Sequence, residues 1–93
     1  MKAVFYNEPG ESDVLHYGDL PDPEPGAGDV VVDVAATALN RLDLSQRHGW
    51  FQLPGFTYPH VAGMDLAGVV SAVGSEVSGV ELGDRVVVDP SLA

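Results

Sequence analysis

The chain has 93 residues, enough for one small domain with its own hydrophobic core. Apolar residues make up 45% of it, which indicates a globular rather than a disordered protein. Fourteen acidic residues against four basic ones give a formal charge of −10, the wrong sign for a partner with a phosphate backbone, so nucleic acid is excluded. Because the chain has no cysteine, it can form neither a disulfide framework nor a thiolate metal site.

The start of the chain and its hydropathy pattern predict a soluble, cytoplasmic protein. Residues 1–4 lack the apolar run and the small-residue cleavage site of a signal peptide. No apolar run approaches the ~18 residues that a membrane helix needs. Most of the acidic excess lies in the first third of the chain and is predicted to form a solvated surface. These acids are Glu8, Glu11, Asp13, Asp19, Asp22, Glu24, Asp29 and Asp33.

The first two strands are predicted on either side of a turn. Residues 2–6 read as a short strand, and residues 7–10 contain the proline and the glycine of a turn. Residues 14–20 alternate enough to form a second strand, antiparallel to the first. Residues 21–28 hold three prolines, which lack a backbone donor, so this stretch is predicted as an extended surface loop in preference to a linker.

A longer strand and a short helix are predicted next. Residues 29–37 have the alternation of a strand, and one of its faces is predicted to consist of Val30, Val32 and Val34. The spacing of the apolar residues then changes to that of a helix, and residues 40–47 are predicted as one or two helical turns closed by Gly49. The helical period is carried by Leu39, Leu42, Leu44 and Arg47. Residues 50–59 are predicted as an irregular loop rich in aromatic side chains.

Two apolar runs near the end of the sequence, residues 66–73 and 85–88, are predicted as further strands. Glycines punctuate this stretch at places where a chain bends, bulges or lets another backbone approach closely. They are Gly63, Gly68, Gly74, Gly79 and Gly83. Four or five strands, long loops and one short helix together predict a mostly β fold, a partly open antiparallel barrel.

The glycine-rich stretch also resembles a known family signature. The order G-x-D-x-x-G-x-V, V-G-x-x-V and G-D-R-V, between residues 63 and 86, is similar to that of the N-terminal, GroES-like domain of medium-chain dehydrogenases/reductases. This superfamily includes the zinc alcohol dehydrogenases and the zinc-free quinone oxidoreductases. The resemblance runs from Met1 to Asp89 and implies a GroES-like barrel, the N-terminal portion of a two-domain dehydrogenase.

The positions that hold the catalytic metal in zinc-dependent members carry other residues here. The first ligand there is a cysteine that opens a C-x-x-D turn, and the corresponding residue is Asn40. The next is a histidine in a G-H-E/D motif, and the corresponding residue is Met64, followed by Asp65. An amide and a thioether are poor substitutes for thiolate and imidazole on zinc. The resemblance therefore implies no metal site and no catalytic zinc.

The turn N-R-L-D, followed by Arg47 and Gly49, resembles the zinc-free quinone oxidoreductase and enoyl reductase branches. Those branches use NADPH or NADH to reduce a quinone or a double bond conjugated to a carbonyl group. The resemblance implies that Asn40 lines the cleft where nicotinamide meets substrate, and Ser45 stands where the family often has a tyrosine. The implied roles are catalysis for Asn40 and Asp43, cofactor binding for Asn40 and Arg41, and substrate binding for Arg41, Ser45, Trp50 and Phe51.

Structural explanations remain open for the residues at the start of the helix. Asn40 could instead cap the helix, with Asp43 in its first turn. Asp43 could tie loops together through Arg47 or Arg85. Without the resemblance, capping is the favoured role for Asn40.

Two interpretations are open for the aromatic side chains of the loop, and two for the histidines beside it. Trp50 and Phe51 either wall an apolar pocket or close the core. His48 and His60 flank the loop, and either touch substrate or, as is more usual for loop histidines, face solvent. His16 is predicted on the surface of a strand.

No glycine-rich turn for a dinucleotide is present, because the glycines lack the G-x-G-x-x-G spacing and no βαβ unit surrounds them. Residues 1–93 are therefore predicted to be the N-terminal part of a GroES-like, substrate-side domain, with a Rossmann domain outside this chain. The resemblance implies a small-molecule substrate, a homodimeric full-length parent, no membrane partner, and no activity of the 93-residue chain alone. The alternative is a free-standing GroES-like binding module of the co-chaperonin type, which would have no use for the G-x-D-x-x-G and N-x-x-D motifs.

Overall fold

The computed structural model describes residues 1–88. Asp89, where the resemblance ends, lies outside the described residues, as do the last four positions of the predicted domain. Within the described part the chain is mostly β, with a single α-helix. The elements are β1 (Lys2–Phe5), a 3-10 turn (Ser12–Val14), β2 (His16–Asp19), β3 (Val30–Ala38), α1 (Arg41–His48), β4 (Asp65–Val73) and β5 (Arg85–Val88).

One structural unit comprises Met1–Pro21 and Leu39–Met64. In it β1 and β2 form an antiparallel pair, as predicted, with Lys2 opposite Asp19 and an ion pair of 2.8 Å between their side chains. The second strand begins two residues later than predicted, because the N–H groups of Val14 and Leu15 bond to carbonyls three residues back and close a 3-10 turn.

Tyr6 leaves the predicted first strand and pairs with a distant residue. Its N–H donates to the carbonyl of His60 at 3.1 Å, and the His60 N–H donates to the Tyr6 carbonyl at 2.9 Å. This isolated antiparallel bridge joins the start of the chain to the end of the aromatic loop. The strand predicted over residues 2–6 therefore ends at Phe5.

The second unit comprises Asp22–Ala38 and the chain from Asp65 onward. Its strands form one antiparallel sheet in the order β3-β4-β5, which confirms the three later strands of the prediction. Gly68 in β4 is buried, and a Cβ at this position would overlap the Asp33 carbonyl of β3. Of the three roles predicted for the glycines of this stretch (a bend, a bulge or the close approach of another backbone), Gly68 has the last.

The single valine face predicted for β3 is wrong. The pairing of β3 with β4 shifts register between Val31 and Val32 and again between Val34 and Ala36. Each shift interrupts the alternation of faces along the strand. As a result Val34 is 57% exposed, while Val32 is half-buried.

The fully buried apolar residues of the described chain are few. Tyr6 is 0% exposed in the first unit, and Val70 is 2% exposed in the second. The sheets of both units are antiparallel and not closed, in accord with the predicted mostly β, partly open antiparallel fold with one short helix. Within residues 1–88 no helix has the length and apolar character to cross a membrane.

Candidate functional site

Helix α1 positions most of the residues that the sequence singles out. It runs from Arg41 to His48, one residue later than predicted at each end, with Asn40 as the N-terminal cap and Gly49 as the C-terminal cap. Gly49 has the left-handed conformation (φ 81°) that ends helices, and its N–H donates to the Gln46 carbonyl at 3.1 Å. The predicted closure of the helix at Gly49 is confirmed.

The buried residues of α1 are polar, although leucines carry much of its helical period. Leu39 is 95% exposed and Leu44 is 51% exposed, whereas Asp43 and Gln46 are buried. The reason is that the carboxylate of Asp43 binds backbone N–H groups inside the unit, so the helix turns this side inward. Spacing of apolar residues alone could not reveal this.

Asp43 is bound through both of its carboxylate oxygens. Oδ2 accepts a hydrogen bond of 3.0 Å from the Asn40 N–H, which is one half of a capping box at the start of α1. Oδ1 accepts a second bond of 3.0 Å, from the N–H of Gly63. Asp43 therefore does tie loops together, and the partners described for it in residues 1–88 are backbone N–H groups, where the sequence suggested Arg47 or Arg85. Arg47 instead donates from Nε to the Gly10 carbonyl at 3.2 Å.

Tyr6, which no motif of the sequence marks, lies in the same unit as this carboxylate. Its side chain is fully buried, and its hydroxyl has no hydrogen-bond partner among the described residues. Burial raises the pKa of the Tyr6 phenol, and the charges of Tyr58 and Asp43 raise this pKa further, opposed by Arg47. The one sequence signal for its burial is the position of Tyr6 at the end of an apolar strand.

The predicted aromatic loop packs its inner rings around Tyr6. Phe56 and Tyr58 lie 6.4 and 6.1 Å from the Tyr6 ring, and His60 lies 5.4 Å from it. His60 also stacks on Phe56 at 4.3 Å. Burial lowers the pKa of the His60 imidazole, and the negative charge of Asp43 partly offsets this effect. His60 is thus part of a packed aromatic cluster, so the usual exposure of loop histidines does not apply to it.

Trp50 and Phe51 follow the C-terminal end of α1 and face solvent. Trp50 is 76% exposed and Phe51 is 52% exposed, which excludes the core-closing interpretation within residues 1–88. The indole of Trp50 stacks on the imidazole of His48, with centroids 4.3 Å apart and rings inclined by 12°. His48 in turn lies with Nδ1 3.7 Å from a carboxylate oxygen of Glu11.

The predicted site residues form two groups at opposite ends of α1. Asn40 is half-buried and Arg41 exposed at the first turn, while Trp50 and Phe51 lie beyond the last turn. Eight helical residues separate these groups by about 12 Å along the axis. Ser45 lies between them and is half-buried. His16 is exposed in β2, as predicted.

Two depressions of about 370 and 320 Å³ occur within residues 1–88 on the β3-β4-β5 sheet, and the predicted site residues line neither of them. In the same described residues no three His, Asp or Glu side chains lie close enough together to hold a metal ion. The catalytic and binding roles of the predicted residues stay predictions.

Residues 26–93 match the family model of the alcohol dehydrogenase GroES-like domain. The chain is 40% identical over 85 residues to the quinone oxidoreductase of Pseudomonas aeruginosa, covering 91% of this chain and 26% of that protein. It is 40% identical over 87 residues to an NADPH-dependent alkenal/one oxidoreductase of Arabidopsis thaliana, covering 92% and 22%. The structure of Escherichia coli quinone oxidoreductase complexed with NADPH matches with a TM-score of 0.83 and 30% identity, covering 94% and 26%.

The chain therefore belongs to the alcohol dehydrogenase GroES-like domain family. The predicted membership in the medium-chain dehydrogenase/reductase superfamily and the GroES-like fold are both confirmed. The chain spans about a quarter of the length of the proteins it matches.

Proposed function

We propose that this chain is the substrate-side, N-terminal part of an NAD(P)H-dependent oxidoreductase without catalytic zinc. Its substrate would be a quinone or an α,β-unsaturated carbonyl compound. The observation that carries the proposal is Asn40, a neutral amide in the place of the first zinc ligand of the superfamily, at the cap of α1. The names of a quinone oxidoreductase and an alkenal/one oxidoreductase among its relatives support the same class of reaction.

The residues at the start of α1 fit a role beside a nicotinamide cofactor. Asn40 has an amide that can donate and accept hydrogen bonds, and Arg41 is exposed with five N–H donors for an anionic or carbonyl group. A bound nicotinamide supplies the hydride. Asp43 holds the Asn40 backbone in place through the bond to its N–H, so Asp43 orients the amide from the buried side.

The residues beyond α1 fit the apolar body of the substrate. Trp50 and Phe51 present exposed aromatic surface, and an apolar acceptor placed against them would be shielded from water on that side. Ser45 contributes a half-buried hydroxyl between the two groups of residues. A substrate that contacts both ends of the helix would need additional walls, which we propose come from other parts of the whole protein.

The nucleotide-binding half of the enzyme is proposed to lie outside residues 1–93, in a Rossmann domain of a homodimeric, cytoplasmic parent. The supporting argument is that pyrophosphate binds at a glycine-rich turn opening a helix, and the sequence has no such turn. The net charge of −10 would also repel a free dinucleotide. Calorimetry on the 93-residue chain is expected to detect no saturable NADPH or NADH binding at micromolar concentration.

The full-length polypeptide that carries this segment provides the decisive test. With NADPH or NADH it should reduce either 2-methyl-1,4-naphthoquinone or trans-2-hexenal, followed by the loss of cofactor absorbance. The activity should survive dialysis against a chelator, because the proposed enzyme uses no catalytic zinc. If the protein oxidised neither cofactor with either acceptor, the co-chaperonin-type alternative would gain support. If chelation abolished turnover and zinc restored it, the zinc-free branch would be wrong.

A further inference from the structure

The geometry points to Trp50 as a stacking platform for the planar ring of a quinone, with His48 as the group that holds the indole in place. This inference rests on the proposed function and narrows its substrate class toward acceptors with a planar conjugated ring. It makes Trp50 a specificity-determining residue, since an aliphatic enal offers almost no ring surface to stack. Three features of the C-terminal end of α1 carry the argument.

The backbone of Trp50 is fixed to the helix. Its N–H donates to the Ser45 carbonyl at 3.0 Å, beside the bond from the Gly49 N–H to Gln46. Gly49 has the positive φ that this helix end requires, and a Cβ there would lie 3.1 Å from the Cβ of Pro9. The turn that presents Trp50 is therefore closely specified, although the indole itself lies in solvent.

The indole is also fixed on one face. The nearly parallel stack on His48 at 4.3 Å covers that face, and the 76% exposure of Trp50 leaves the rest of the side chain open. The His48 side chain is only 17% exposed, and its Nδ1 is 3.7 Å from the Glu11 carboxylate. Because the imidazole is itself largely buried and stacks on the indole, it braces Trp50, which is not a freely rotating side chain.

A braced indole matches the chemistry of a quinone. Aromatic rings prefer offset-stacked contacts, and the electron-poor ring of a quinone complements the electron-rich indole. Phe51 adds exposed apolar surface directly beside Trp50. Because the indole is held before the ligand arrives, little side-chain entropy is lost on binding.

The sequence offers a direct measurement, because Trp50 is the only tryptophan and the chain has no cysteine to react with a quinone. The 93-residue chain is titrated with 2-methyl-1,4-naphthoquinone while the tryptophan fluorescence is recorded, with free N-acetyltryptophanamide as the reference for collisional quenching and inner-filter loss. We expect saturable quenching of the chain and linear quenching of the reference. Linear quenching equal to the reference would overturn the proposal.

Two variants distinguish stacking of the quinone on Trp50 from nonspecific binding to any exposed ring. His48→Ala removes the brace, and the dissociation constant should rise by roughly threefold or more, the size of a stacking contact. Tyr17→Leu removes a ring that is 73% exposed in β2 and should leave the dissociation constant unchanged. Circular dichroism verifies that both variants keep the fold. Equal weakening by the two variants, or no effect of His48→Ala, would contradict the proposal.

A nicotinamide ring is also flat, so the same titration is run with N-methylnicotinamide. Saturable quenching by this compound, with the same loss in His48→Ala and none by the quinone, would assign the platform to the cofactor and overturn the quinone assignment. Absence of saturable quenching by N-methylnicotinamide is the expected result.

Kinetics of the full-length protein distinguish this inference from the proposed function. Trp50→Leu should raise KM for the naphthoquinone roughly three- to tenfold and raise KM for trans-2-hexenal by a clearly smaller factor, because leucine keeps apolar surface but offers no ring for stacking. If the wild-type protein reduced neither acceptor, the proposed function would fail. If it reduced the quinone and Trp50→Leu left KM unchanged, the stacking role of Trp50 would be wrong while the proposed function would stand.

Discussion

The carboxylate of Asp43 and the backbone N–H of Gly63 are joined by a hydrogen bond of 3.0 Å across twenty residues of sequence. The other oxygen of the same carboxylate binds the N–H of Asn40. One buried side chain thus fixes both the start of α1 and the segment that follows the aromatic loop. The position of the Asn40 amide depends on this arrangement.

Replacing Asp43 by asparagine should destabilise the chain substantially. The variant keeps one oxygen but turns an NH₂ group toward one of the two N–H donors, and it removes the charge from both hydrogen bonds. The expected loss of unfolding free energy is about 2 kcal/mol. Urea denaturation of the 93-residue chain measures it. Asp33→Asn, at an exposed position in β3, is the matched control and should change the unfolding free energy by less than about 0.5 kcal/mol.

Asn40→Ala tests whether Asn40 does more than cap the helix. Loss of the cap alone should cost about 1 kcal/mol of stability. In the full-length protein the variant is expected to reduce turnover far more than such a loss of stability explains. Asn40→Asp keeps the cap, so it should restore the stability but not the turnover. If Asn40→Ala changed only the stability, the capping role would be sufficient.

The half-buried imidazole of His60 predicts that stability falls in mild acid. Burial lowers its pKa below the ordinary value of 6.5, so the unfolded chain binds the proton more readily than the folded one. The contribution of neutral His60 to the unfolding free energy is fully present above pH 6.5, and it is lost as the pH falls through the lower pKa of the folded state. Urea unfolding at several pH values between 8 and 5 should show a smaller acid loss in His60→Phe than in the wild type. Parallel curves for the two proteins would exclude His60 as the source.

Tyr6→Phe removes a hydroxyl that is buried without a partner among residues 1–88. Because no described hydrogen bond is lost, the unfolding free energy should stay within about 1 kcal/mol of the wild type. Because the pKa of Tyr6 is raised in the folded chain, the contribution of its protonated phenol to the unfolding free energy is fully present below pH 10. It is lost as the pH rises through the higher pKa of the folded state. The variant should therefore lose less stability in alkali. A loss well above 1 kcal/mol at neutral pH would reveal a partner for the hydroxyl.

Elemental analysis of chelator-washed protein tests the metal prediction. We expect far less than one zinc per chain, because Asn40 and Met64 provide an amide and a thioether where zinc requires thiolate, imidazole or carboxylate. Met64→His is the informative companion, since it restores one ligand type of the zinc-dependent branch. Stoichiometric zinc in the wild type, lost on substitution of Asn40, would contradict the prediction.

Features that depend on local sequence were predictable. The caps of α1 at Asn40 and Gly49 are visible as residue types at the correct spacing, and the valine-rich runs of β4 and β5 have a strong preference for strands. The family signature could also be recognised from the sequence, because its glycines occupy positions where the backbone turns or where another strand approaches closely.

Features that depend on distant pairing were not predictable. The bridge between Tyr6 and His60 joins residues 54 positions apart, and nothing in either neighbourhood indicates the other. The inward turn of Asp43 depends on a Gly63 N–H that only the folded loop supplies. For Asp43, the tertiary hydrogen bond overrides the apolar period of the helix.

The overlap that a Cβ at residue 68 would make involves the carbonyl of Asp33, a group that every amino acid carries. No exchange of the side chain at position 33 can therefore make room for a larger residue at position 68. The two positions touch, yet they should not covary among homologues, and a contact map inferred from coupled substitutions would miss this point of the β3-β4 pairing. The tightest constraint on Gly68 is thus the backbone of Asp33, whatever side chain position 33 carries, although a Cβ would also lie 2.8 Å from Cγ1 of Val32.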